Sequence, residues 1–261
     1  MENYSYVTIF KVDEQFVNKA ESTISGKTEK QEVSEYWKDK YEKEHAKNWD
    51  KFYINNKTNF FKDRHYLERE FELEFPVEEF VFIELGCGVG NALVPLVQSH
   101  PQMKGVGLDC SKVAIDLLKS RGYEGYVMDM TSDEWPEEVK QLEGKADYVS
   151  LIFSLSACHP KTHKTVVENV KKLLKPEGVV LFRDYAKYDL AQLRFAEKQA
   201  KLDEDFYVRG DGTKAKFFEE AEVLDLFGMV NVQLKVQAKK FINRKDNLEM
   251  HRLWIQGVWR R

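Results

Sequence analysis

The chain has 261 residues, which suits one large α/β domain with additions, with two small domains as the alternative. Its apolar content of 43% is ample for a packed core, and no apolar run approaches the length of a membrane span. The net charge of −4 argues against nucleic-acid binding through overall electrostatics, although it does not exclude local basic patches.

The beginning of the chain shows no targeting pattern. It lacks a basic-then-apolar signal stretch, and residues 1–26 contain no arginine, so an Arg-rich transit peptide is not expected. Cys87, Cys110 and Cys158 are widely spaced and form no C-x-x-C pair. We therefore expect reduced thiols, no zinc or other metal site, and a cytoplasmic location, with the nucleus as an open alternative.

The first 76 residues divide into two segments. Residues 1–33 are polar and weakly patterned, so we expect a flexible arm. From Ser34, aromatic and histidine side chains recur four apart, which predicts a helix, and a second helix is expected over 63–75, where Pro76 ends it. Residues 34–76 are thus predicted to form a helical N-terminal extension.

Lysines and aromatic residues alternate between Lys27 and Arg64. Such interleaving fits contact with RNA, but acidic residues such as Glu32, Glu35 and Asp39 accompany the first part of the cluster. A solvated helix face explains the mixed charges equally simply, and composition favours it.

Strands and helices alternate from residue 77 onward. Strands are predicted at 80–85, 104–109, 125–129, 146–155, 179–184, 230–237 and 252–259, and helices at 91–99, 111–121, 161–174 and 217–227. Crossovers between the first five strands indicate a parallel sheet with helices on both faces, and the last two strands should form an antiparallel hairpin. Residues 77–261 therefore read as one α/β domain with a seven-stranded sheet and an insertion at about 186–216.

A glycine-rich turn follows the first of these strands. Glu84 is followed by Gly86, Gly88 and Gly90 at alternate positions, which leaves the backbone open to a ligand at the start of the next helix. The dinucleotide fingerprint G-x-G-x-x-G would need glycine where Asn91 stands. Acidic-x-G-x-G-x-G instead resembles the first motif of class I S-adenosylmethionine-dependent methyltransferases, which have a Rossmann-like fold.

Two further acidic residues stand at the ends of the next two strands. Asp109 ends the second strand, where a carboxylate can accept hydrogen bonds from a ribose diol. Asp129, followed by Met130, ends the third and suits the amine and edge of adenine, and the fourth strand brings Ile152 to the same edge. Each aspartate alone could cap a helix, as Asp109 could before Ser111, but the ordered set favours a cofactor site.

Longer blocks resemble one family. They occupy residues 47–53, 59–65, 84–91, 151–160, 173–176, 181–185 and 206–213. The most specific are Asn-Phe-Phe-Lys-Asp-Arg at 59–64, Phe-Arg-Asp-Tyr at 182–185 and Phe-Tyr-Val-Arg-x-Asp-Gly-Thr at 206–213. Over about residues 36–260 the chain resembles the eukaryotic tRNA 3-methylcytidine methyltransferases, a methyltransferase-like group acting at the anticodon loop.

The resemblance implies S-adenosylmethionine as cofactor and, as substrate, cytidine 32 in the anticodon loop of serine or threonine tRNAs. It implies that Trp49 and Tyr53 fold over the cofactor, with Gly86, Asp109, Asp129, Met130 and Ile152 as its other contacts. Some members act on serine tRNAs with help from seryl-tRNA synthetase, so this enzyme is an expected partner, and we expect a monomer that does not bind membranes. The chain departs from the family at Cys158 and at residues 186–187.

The residues also discriminate between acceptor atoms. Exocyclic-amine methylases carry Asn/Asp-Pro-Pro-aromatic after strand four, whereas this chain has Ser154-Leu155-Ser156-Ala157. Carbon-5 methylation needs a thiolate, and Cys158 has only His159 nearby to activate it. Cytidine N3 has a free lone pair and no proton, so it needs no general base, and it fits what remains.

Candidate substrate residues follow from this chemistry. Asp184 and Asp189 are candidates to stabilise the cationic product, Arg183 and Tyr185 to form the pocket, and His159 to contact the base or to be structural. Tyr207, Arg209 and Asp211 could hold a splayed base or phosphate, although Asp-Gly could simply form a turn. Further candidate substrate contacts are Lys62, Arg64 and Ser156.

Two other functions stay open on the sequence. A small-molecule or protein methyltransferase of the same fold would share the cofactor motifs and need no RNA contacts. A non-catalytic subunit could retain the fold as a scaffold, but the intact glycine turn and acidic set disfavour it.

Overall fold

The computed structural model describes residues 4–25, 32–198, 200–243 and 248–261. Its main sheet has eight strands, namely β1 (Tyr4–Ile9), β2 (Phe80–Leu85), β3 (Met103–Asp109), β4 (Glu124–Val127), β5 (Ala146–Ile152), β6 (Leu174–Tyr185), β10 (Val230–Asn243) and β11 (Leu248–Arg260). Their order across the sheet is β1-β10-β11-β6-β5-β2-β3-β4.

The sheet has a parallel part and an antiparallel part. Strands β4, β3, β2, β5 and β6 run parallel, whereas β11, β10 and β1 are added antiparallel. The seven predicted strands and their C-terminal hairpin are therefore confirmed, and β1 adds an eighth strand. The order reverses between β2 and β5, so the carboxyl ends of β2, β3 and β5 meet at a switch point where ligands bind in such sheets.

Helices cover both faces of the sheet. They are α1 (Glu14–Ser25), α2 (Glu35–Lys43), α3 (His45–Asn56), α4 (Leu67–Phe71), α5 (Leu93–Ser99), α6 (Lys112–Ser120), α7 (Glu137–Lys140), α8 (His163–Leu173), α9 (Leu190–Ala196) and α10 (Glu220–Phe227). In β2, Phe82 packs with Leu93 of α5, while its neighbour Ile83 packs with Val166 of α8. Because side chains alternate along a strand, the continuous apolar run fills two cores. None of the helices in the described ranges is long and apolar enough to cross a membrane.

The expectation of a flexible arm over 1–33 is wrong for residues 4–25. Strand β1 pairs with β10, and α1 follows after Asp13 accepts a hydrogen bond from Phe16 N at 2.9 Å. Phe10 lies between β1 and α1 in the chain, and its ring is 4.8 Å from that of His251. This contact buries apolar surface in a segment whose overall composition is polar. Residues 1–3 and 26–31 of the predicted arm lie outside the described residues.

The helical extension also differs from its prediction. The aromatic stripe from Trp37 to Trp49 is divided at Glu44, where α2 ends and α3 begins. The helix predicted over 63–75 is reduced to α4, which ends where Glu72 takes a left-handed conformation at φ 55°. A left-handed residue cannot continue an α-helix, so the expected helix loses most of its length.

The long insertion is structured. It contains α9 and a three-stranded antiparallel sheet of β7 (Lys201–Asp203), β8 (Phe206–Val208) and β9 (Lys214–Lys216). Phe206, Tyr207 and Phe217 are buried in its own small core, together with apolar residues of α9. The insertion is therefore a compact addition that stands beside the switch point.

We expect Trp259→Ala to lower the free energy of unfolding by about 3–5 kcal/mol, because a large aromatic side chain is lost from a filled core. Trp259 is fully buried and stacks on Phe227 with ring centroids 4.2 Å apart. Urea unfolding followed by circular dichroism measures the change. Val232→Ala is the control, since Val232 is 59% exposed and should change stability by less than about 0.5 kcal/mol. Equal losses in the two variants would contradict this packing.

Candidate active site

A central pocket lies beyond the carboxyl ends of β2, β3 and β5. Its floor is the glycine loop after β2, where Gly86 and Gly88 have φ of 70° and 54°. A Cβ atom added to Gly88 would overlap the hydroxyl of Tyr53, and one on Gly86 would overlap Ser154. Glycine is therefore required both by the backbone conformation and by the close approach of neighbouring side chains.

Gly90 differs from the other two glycines. It is outside the pocket lining and packs behind the loop, where an added Cβ would lie 2.6 Å from Leu118 Cδ1 and 2.8 Å from Val94 Cγ2. The prediction that Gly90 contacts the cofactor is thus corrected. Gly90 shapes the loop by allowing it to pack closely on α5 and α6.

Glu84 is buried at the end of β2. One of its carboxylate oxygens accepts a hydrogen bond from Leu93 N at 2.9 Å, at the start of α5. Burial raises the pKa of Glu84 to about 8, although the positive charge of Arg64 opposes this shift. A positively charged ligand group beside this carboxyl would lower its pKa and favour the ionised form.

Asp109 joins the glycine loop to the end of β3. Its Oδ2 accepts a hydrogen bond from Gly88 N at 2.8 Å, and its Oδ1 accepts one from Ser111 N at 2.8 Å. Burial raises its pKa to about 6 against the effect of these two bonds. The alternative that Asp109 caps α6 is not needed, because the hydroxyl of Ser111 caps this helix by accepting a hydrogen bond from Ala114 N. Asp109 lines the pocket.

The remaining predicted cofactor residues close the pocket at the ends of β4 and β5. Asp129, Met130 and Ile152 all line it. Asp129 also accepts hydrogen bonds from the backbone and hydroxyl of Thr131, at 2.8 and 2.7 Å, which fixes its direction after β4. The adjacent Met128, which the prediction omitted, contributes a second methionine side chain.

Helix α3 covers the pocket and carries Trp49 and Tyr53, the two aromatic residues that were predicted to fold over the cofactor. Trp49 and Tyr53 line it and stack on each other with ring centroids 5.9 Å apart. The helix is anchored by Asp50, whose Oδ1 accepts hydrogen bonds from Ser111 Oγ at 2.7 Å and Val113 N at 3.2 Å. Asp50 thus joins the cover directly to the N-terminus of α6.

Arg64 was predicted to bind substrate, and the structure places it in the lining of the pocket, where it interacts with both Glu84 and Phe153. Its guanidinium lies 4.6 Å from the ring centroid of Phe153, and its Nη1 atom is buried with no hydrogen-bond partner among the described residues. Phe153 has φ of 56°, which is strained for a bulky residue, and it lines the pocket too. A half-buried guanidinium with one buried, unpartnered N–H group is complementary to a ligand carboxylate.

These features fit S-adenosylmethionine. The glycine loop leaves room for a ligand at the backbone, Asp109 offers oxygens for a ribose diol, and the cover supplies aromatic faces. Arg64 offers a cation to the amino-acid carboxylate, and Glu84 offers a carboxyl whose ionised form a neighbouring ammonium group would favour. The pocket residues therefore match each part of this cofactor.

The substrate half of the pocket lies at the ends of β5 and β6. Ser156 and Tyr185 line it, and the Tyr185 ring is 5.1 Å from that of Phe153. Asp184 is fully buried behind them and accepts hydrogen bonds from Ser156 N and Tyr185 N at 2.9 Å. The predicted role of Asp184 in stabilising a cationic product stays a prediction, and the structure connects its buried carboxylate to the pocket through Ser156. Burial raises the pKa of Asp184 to about 6.

Arg183 does not form the substrate pocket. It is buried on the face of β6 opposite Asp184, where its guanidinium donates to Gln256 and lies 5.1 Å from the ring of Trp254 and 3.8 Å from Glu70. Tyr185 shares this face but stands at the end of the strand, whereas Arg183 is held by its partners on β11 and α4. The prediction that Arg183 forms the pocket is therefore corrected to a structural role.

Asp189 is structural as well. One oxygen accepts a hydrogen bond from Ala191 N at 2.8 Å and caps α9. The other accepts from Leu253 N at 2.8 Å and from Arg252 Nε at 2.9 Å, which ties the insertion to β11. All of its hydrogen-bonding capacity is directed away from the pocket, so the prediction of a charge-stabilising role is wrong.

Three further substrate candidates have structural positions. His159 packs its ring 5.3 Å from Phe206 and accepts a hydrogen bond from Lys161 N, outside the pocket lining. Tyr207 is 1% exposed and belongs to the insertion core, so it cannot stack on a base. Asp211 accepts from the backbone and hydroxyl of Thr213, which is the turn that its Asp-Gly sequence allowed.

Of the remaining candidates, Arg209 lines the pocket whereas Lys62 is exposed outside it. Sequence reasoning assigned no site role to His45 or Lys214, which also line the pocket. Phe153 and Ser154 line it too, at the end of the fourth predicted strand, which was expected to reach this edge of the sheet. Lys214 follows the specific block at 206–213, but nothing local signals that its side chain turns inward.

The sheet order and this pocket define a class I S-adenosylmethionine-dependent methyltransferase. The chain is 39% identical to a Drosophila melanogaster tRNA N(3)-methylcytidine methyltransferase, Mettl2, over 95% of this chain and 81% of that protein. It is 40% identical to the Homo sapiens tRNA N(3)-cytidine methyltransferase METTL6 over 86% of this chain and 83% of that protein. The chain therefore belongs to the tRNA N(3)-cytidine methyltransferase family.

Other similarities agree with the fold. A family model described as a methyltransferase domain matches residues 83–180. A S-adenosylmethionine-dependent methyltransferase from Anabaena variabilis aligns with a TM-score of 0.61 at 17% identity, over 83% of this chain and 95% of that one. A second from Methanosarcina mazei aligns with a TM-score of 0.57 at 16% identity, over 76% of this chain and 98% of that one.

We expect Gly88→Ala to weaken S-adenosylmethionine binding at least tenfold, because the new methyl group displaces either the loop or Tyr53. Isothermal titration calorimetry measures the affinity. Gly210→Ala is the control, since an added Cβ there meets nothing within 4 Å. Tyr53→Phe added to Gly88→Ala should recover part of the affinity by removing the overlapping hydroxyl, and failure of Gly88→Ala to weaken binding would contradict this geometry.

Proposed function

We propose that the protein transfers a methyl group from S-adenosylmethionine to N3 of a cytidine in the anticodon loop of a tRNA. Position 32 of serine or threonine tRNAs is the proposed target. The observation that carries the proposal is a single pocket whose cofactor half is continuous with a half lined by Phe153, Ser156, Tyr185 and Arg209. That second half offers rings, a hydroxyl and a cation to an unstacked nucleotide.

The relatives' names support this substrate. Both the Drosophila melanogaster and the Homo sapiens proteins are named for N(3)-methylation of cytidine in tRNA. A Saccharomyces cerevisiae relative, 34% identical over 94% of this chain and 41% of its own length, is named tRNA(Thr) (cytosine(32)-N(3))-methyltransferase. Threonine tRNA and position 32 are therefore the first combination to test.

The state of the titratable groups favours an acceptor that needs no activation. Cys158 is buried and its pKa is raised to about 12 by burial, so it is not a thiolate nucleophile for carbon-5 chemistry. His45 lines the pocket, but burial lowers its pKa to about 4, which makes it a weak base. Cytidine N3 carries no proton and requires neither group.

The chain's own residues orient and enclose the reaction. Bound S-adenosylmethionine supplies an electrophilic methyl group, and Trp49 and Tyr53 exclude water from its site. Phe153 and Tyr185 offer rings on which the extruded base can stack. Methylation at N3 makes the base cationic, and the buried negative charge of Asp184, transmitted through Ser156, stabilises it as it forms.

Partner requirements are part of the proposal. A chain with a net charge of −4 gains little affinity for tRNA from overall electrostatics, so local cations must hold the strand. We propose that the protein acts as a monomer and that seryl-tRNA synthetase assists it on serine tRNAs. Threonine tRNA is the proposed substrate for the protein alone.

The proposed function is tested by nucleoside mass spectrometry. Serine, threonine and arginine tRNA transcripts are incubated with the protein and S-adenosylmethionine, with and without seryl-tRNA synthetase. We expect 3-methylcytidine in at least one of the first two tRNAs and none when cytidine 32 is replaced by uridine. If no tRNA gains 3-methylcytidine under any condition, including with cell extract, the proposal is wrong, and ribonuclease-insensitive methylation of the extract would favour a small-molecule or protein substrate.

A pH profile tests the role of Asp184. Because its pKa lies at about 6, the carboxylate is protonated below that pH and ionised above it, so kcat should rise as pH rises through about 6. The measurement is made at saturating S-adenosylmethionine, because Asp109 titrates in the same range and acts on cofactor binding. Asp184→Asn should lower kcat at neutral pH by roughly 10–100-fold and remove the step.

Asp225→Asn provides the matched control, since Asp225 is an exposed carboxylate on α10. Its profile should coincide with that of the unaltered protein. A step near pH 6 that persists in Asp184→Asn would show that another group is responsible.

A further inference from the structure

Helix α3 faces two parts of the pocket. Trp49 and Tyr53 cover the cofactor half, while the preceding Asn48 is 5% exposed and turns toward the insertion. Asn48 Nδ2 donates a hydrogen bond to the carbonyl oxygen of Gly212 at 3.2 Å. Residues 164 positions apart in the chain are thereby joined at the edge of the pocket.

The partner of Asn48 is a tight turn between β8 and β9. Arg209 N donates to Thr213 O at 2.7 Å, and Gly212 N donates to Arg209 O at 3.0 Å. Gly212 has φ of 81°, and an added Cβ would lie 3.0 Å from Asn48 Nδ2, so the turn rests closely against the asparagine. A shift at Gly212 must therefore move Arg209, which lines the pocket.

Of the two cations that β8, β9 and their turn bring to the pocket, Arg209 is the one available to a ligand. Lys214 also lines the pocket, but its ammonium is paired with Glu42 of α2 and its charge is offset. In the part of the chain that the structure describes, the Arg209 side chain has no ion pair or hydrogen bond, and the residue is half-buried. An Arg guanidinium in this state matches the geometry of a phosphodiester.

We propose that Asn48 is a positioning residue that holds Arg209, through Gly212, in place to bind a phosphate of the tRNA strand. This inference rests on the proposed function, because the proposed function supplies the tRNA whose phosphate Arg209 binds. Asn48 lies on the same helix as Trp49 and Tyr53, so one helix contacts both the cofactor half of the pocket and the turn that carries Arg209.

The experiment is a double-mutant cycle read by tRNA binding. The dissociation constant of a threonine tRNA transcript is measured by filter binding at saturating S-adenosylhomocysteine for the unaltered protein, Asn48→Ala, Arg209→Ala and the double variant. Asn48→Ala should weaken binding about fivefold, as expected for loss of one hydrogen bond. In the Arg209→Ala background the same change should have less than about a twofold effect, because the residue it positions is absent.

Salt dependence separates positioning from general damage. Arg209→Ala should reduce the slope of log affinity against log salt concentration by about one, since one phosphate contact is lost. Asn48→Ala should reduce it by a similar amount, whereas its affinity for S-adenosylhomocysteine should change less than about twofold. A merely destabilised protein would lose affinity with an unchanged slope.

Asn56→Ala is the matched control. Asn56 lies on the same helix and its side chain donates to Phe52 O at 2.8 Å, so it makes a similar bond without reaching the insertion. It should leave the tRNA affinity and the salt slope unchanged. Asn48→Asp, which keeps the side-chain volume but removes the donor, supplies the measurement if Asn48→Ala does not fold.

The proposal is overturned if Asn48→Ala weakens binding equally with and without Arg209, if its salt slope equals that of the unaltered protein, or if Asn56→Ala has the same effect. It is also overturned if Asn48→Asp folds and binds tRNA normally. Formation of 3-methylcytidine by the unaltered protein is assayed separately. Failure of the proposed function is therefore distinguishable from failure of this inference.

Discussion

The hydrogen bond from Gly88 N to Asp109 is the contact on which the site depends. It joins the loop after β2 to the end of β3 at the point where strand order reverses. Burying a carboxylate is unfavourable, and the pKa of Asp109 rises to about 6 although two backbone N–H groups compensate it. Because Gly88 has no side chain, the hydroxyl of Tyr53 lies directly against the loop. The loop therefore allows helix α3 to cover the pocket.

Two segments outside the central sheet complete the site. The extension at 34–76 is fastened to α6 through Asp50, and it contacts the insertion through Glu42 and Asn48. Without them the carboxyl edge of the sheet would open to water, which screens charges and competes for hydrogen bonds. The additions therefore convert a widespread cofactor fold into an enclosed site with its own set of cations.

Strand β6 shows which features follow from the local sequence and which do not. Its position and direction follow from the apolar run and the crossovers before it, and the sequence block at 182–185 identifies the family. Arg183, Asp184 and Tyr185 do not form one pocket surface, because alternation places Asp184 on the face opposite Arg183 and Tyr185. Of the two residues that share a face, Arg183 is held away from the pocket by Gln256 and Glu70. The bond of Asp189 to β11 could not have been assigned from local sequence, because Leu253 is distant in the chain. The burial of Tyr207 against Phe217 follows only from the packing of the insertion.

The sequence by itself determined the parallel strands of the central sheet, the glycine loop and the acidic residues at the strand ends. It also determined the family. These features are set by contiguous residues whose backbone conformations and periodicity are local properties. Only the tertiary structure decided that Tyr4–Ile9 joins the sheet, that Arg64 lies beside both Glu84 and Phe153, and that Asp184 is buried one hydrogen bond behind Ser156. The direction of a polar side chain depends on which distant groups can satisfy its hydrogen bonds and charge, and that is known only once the chain has packed.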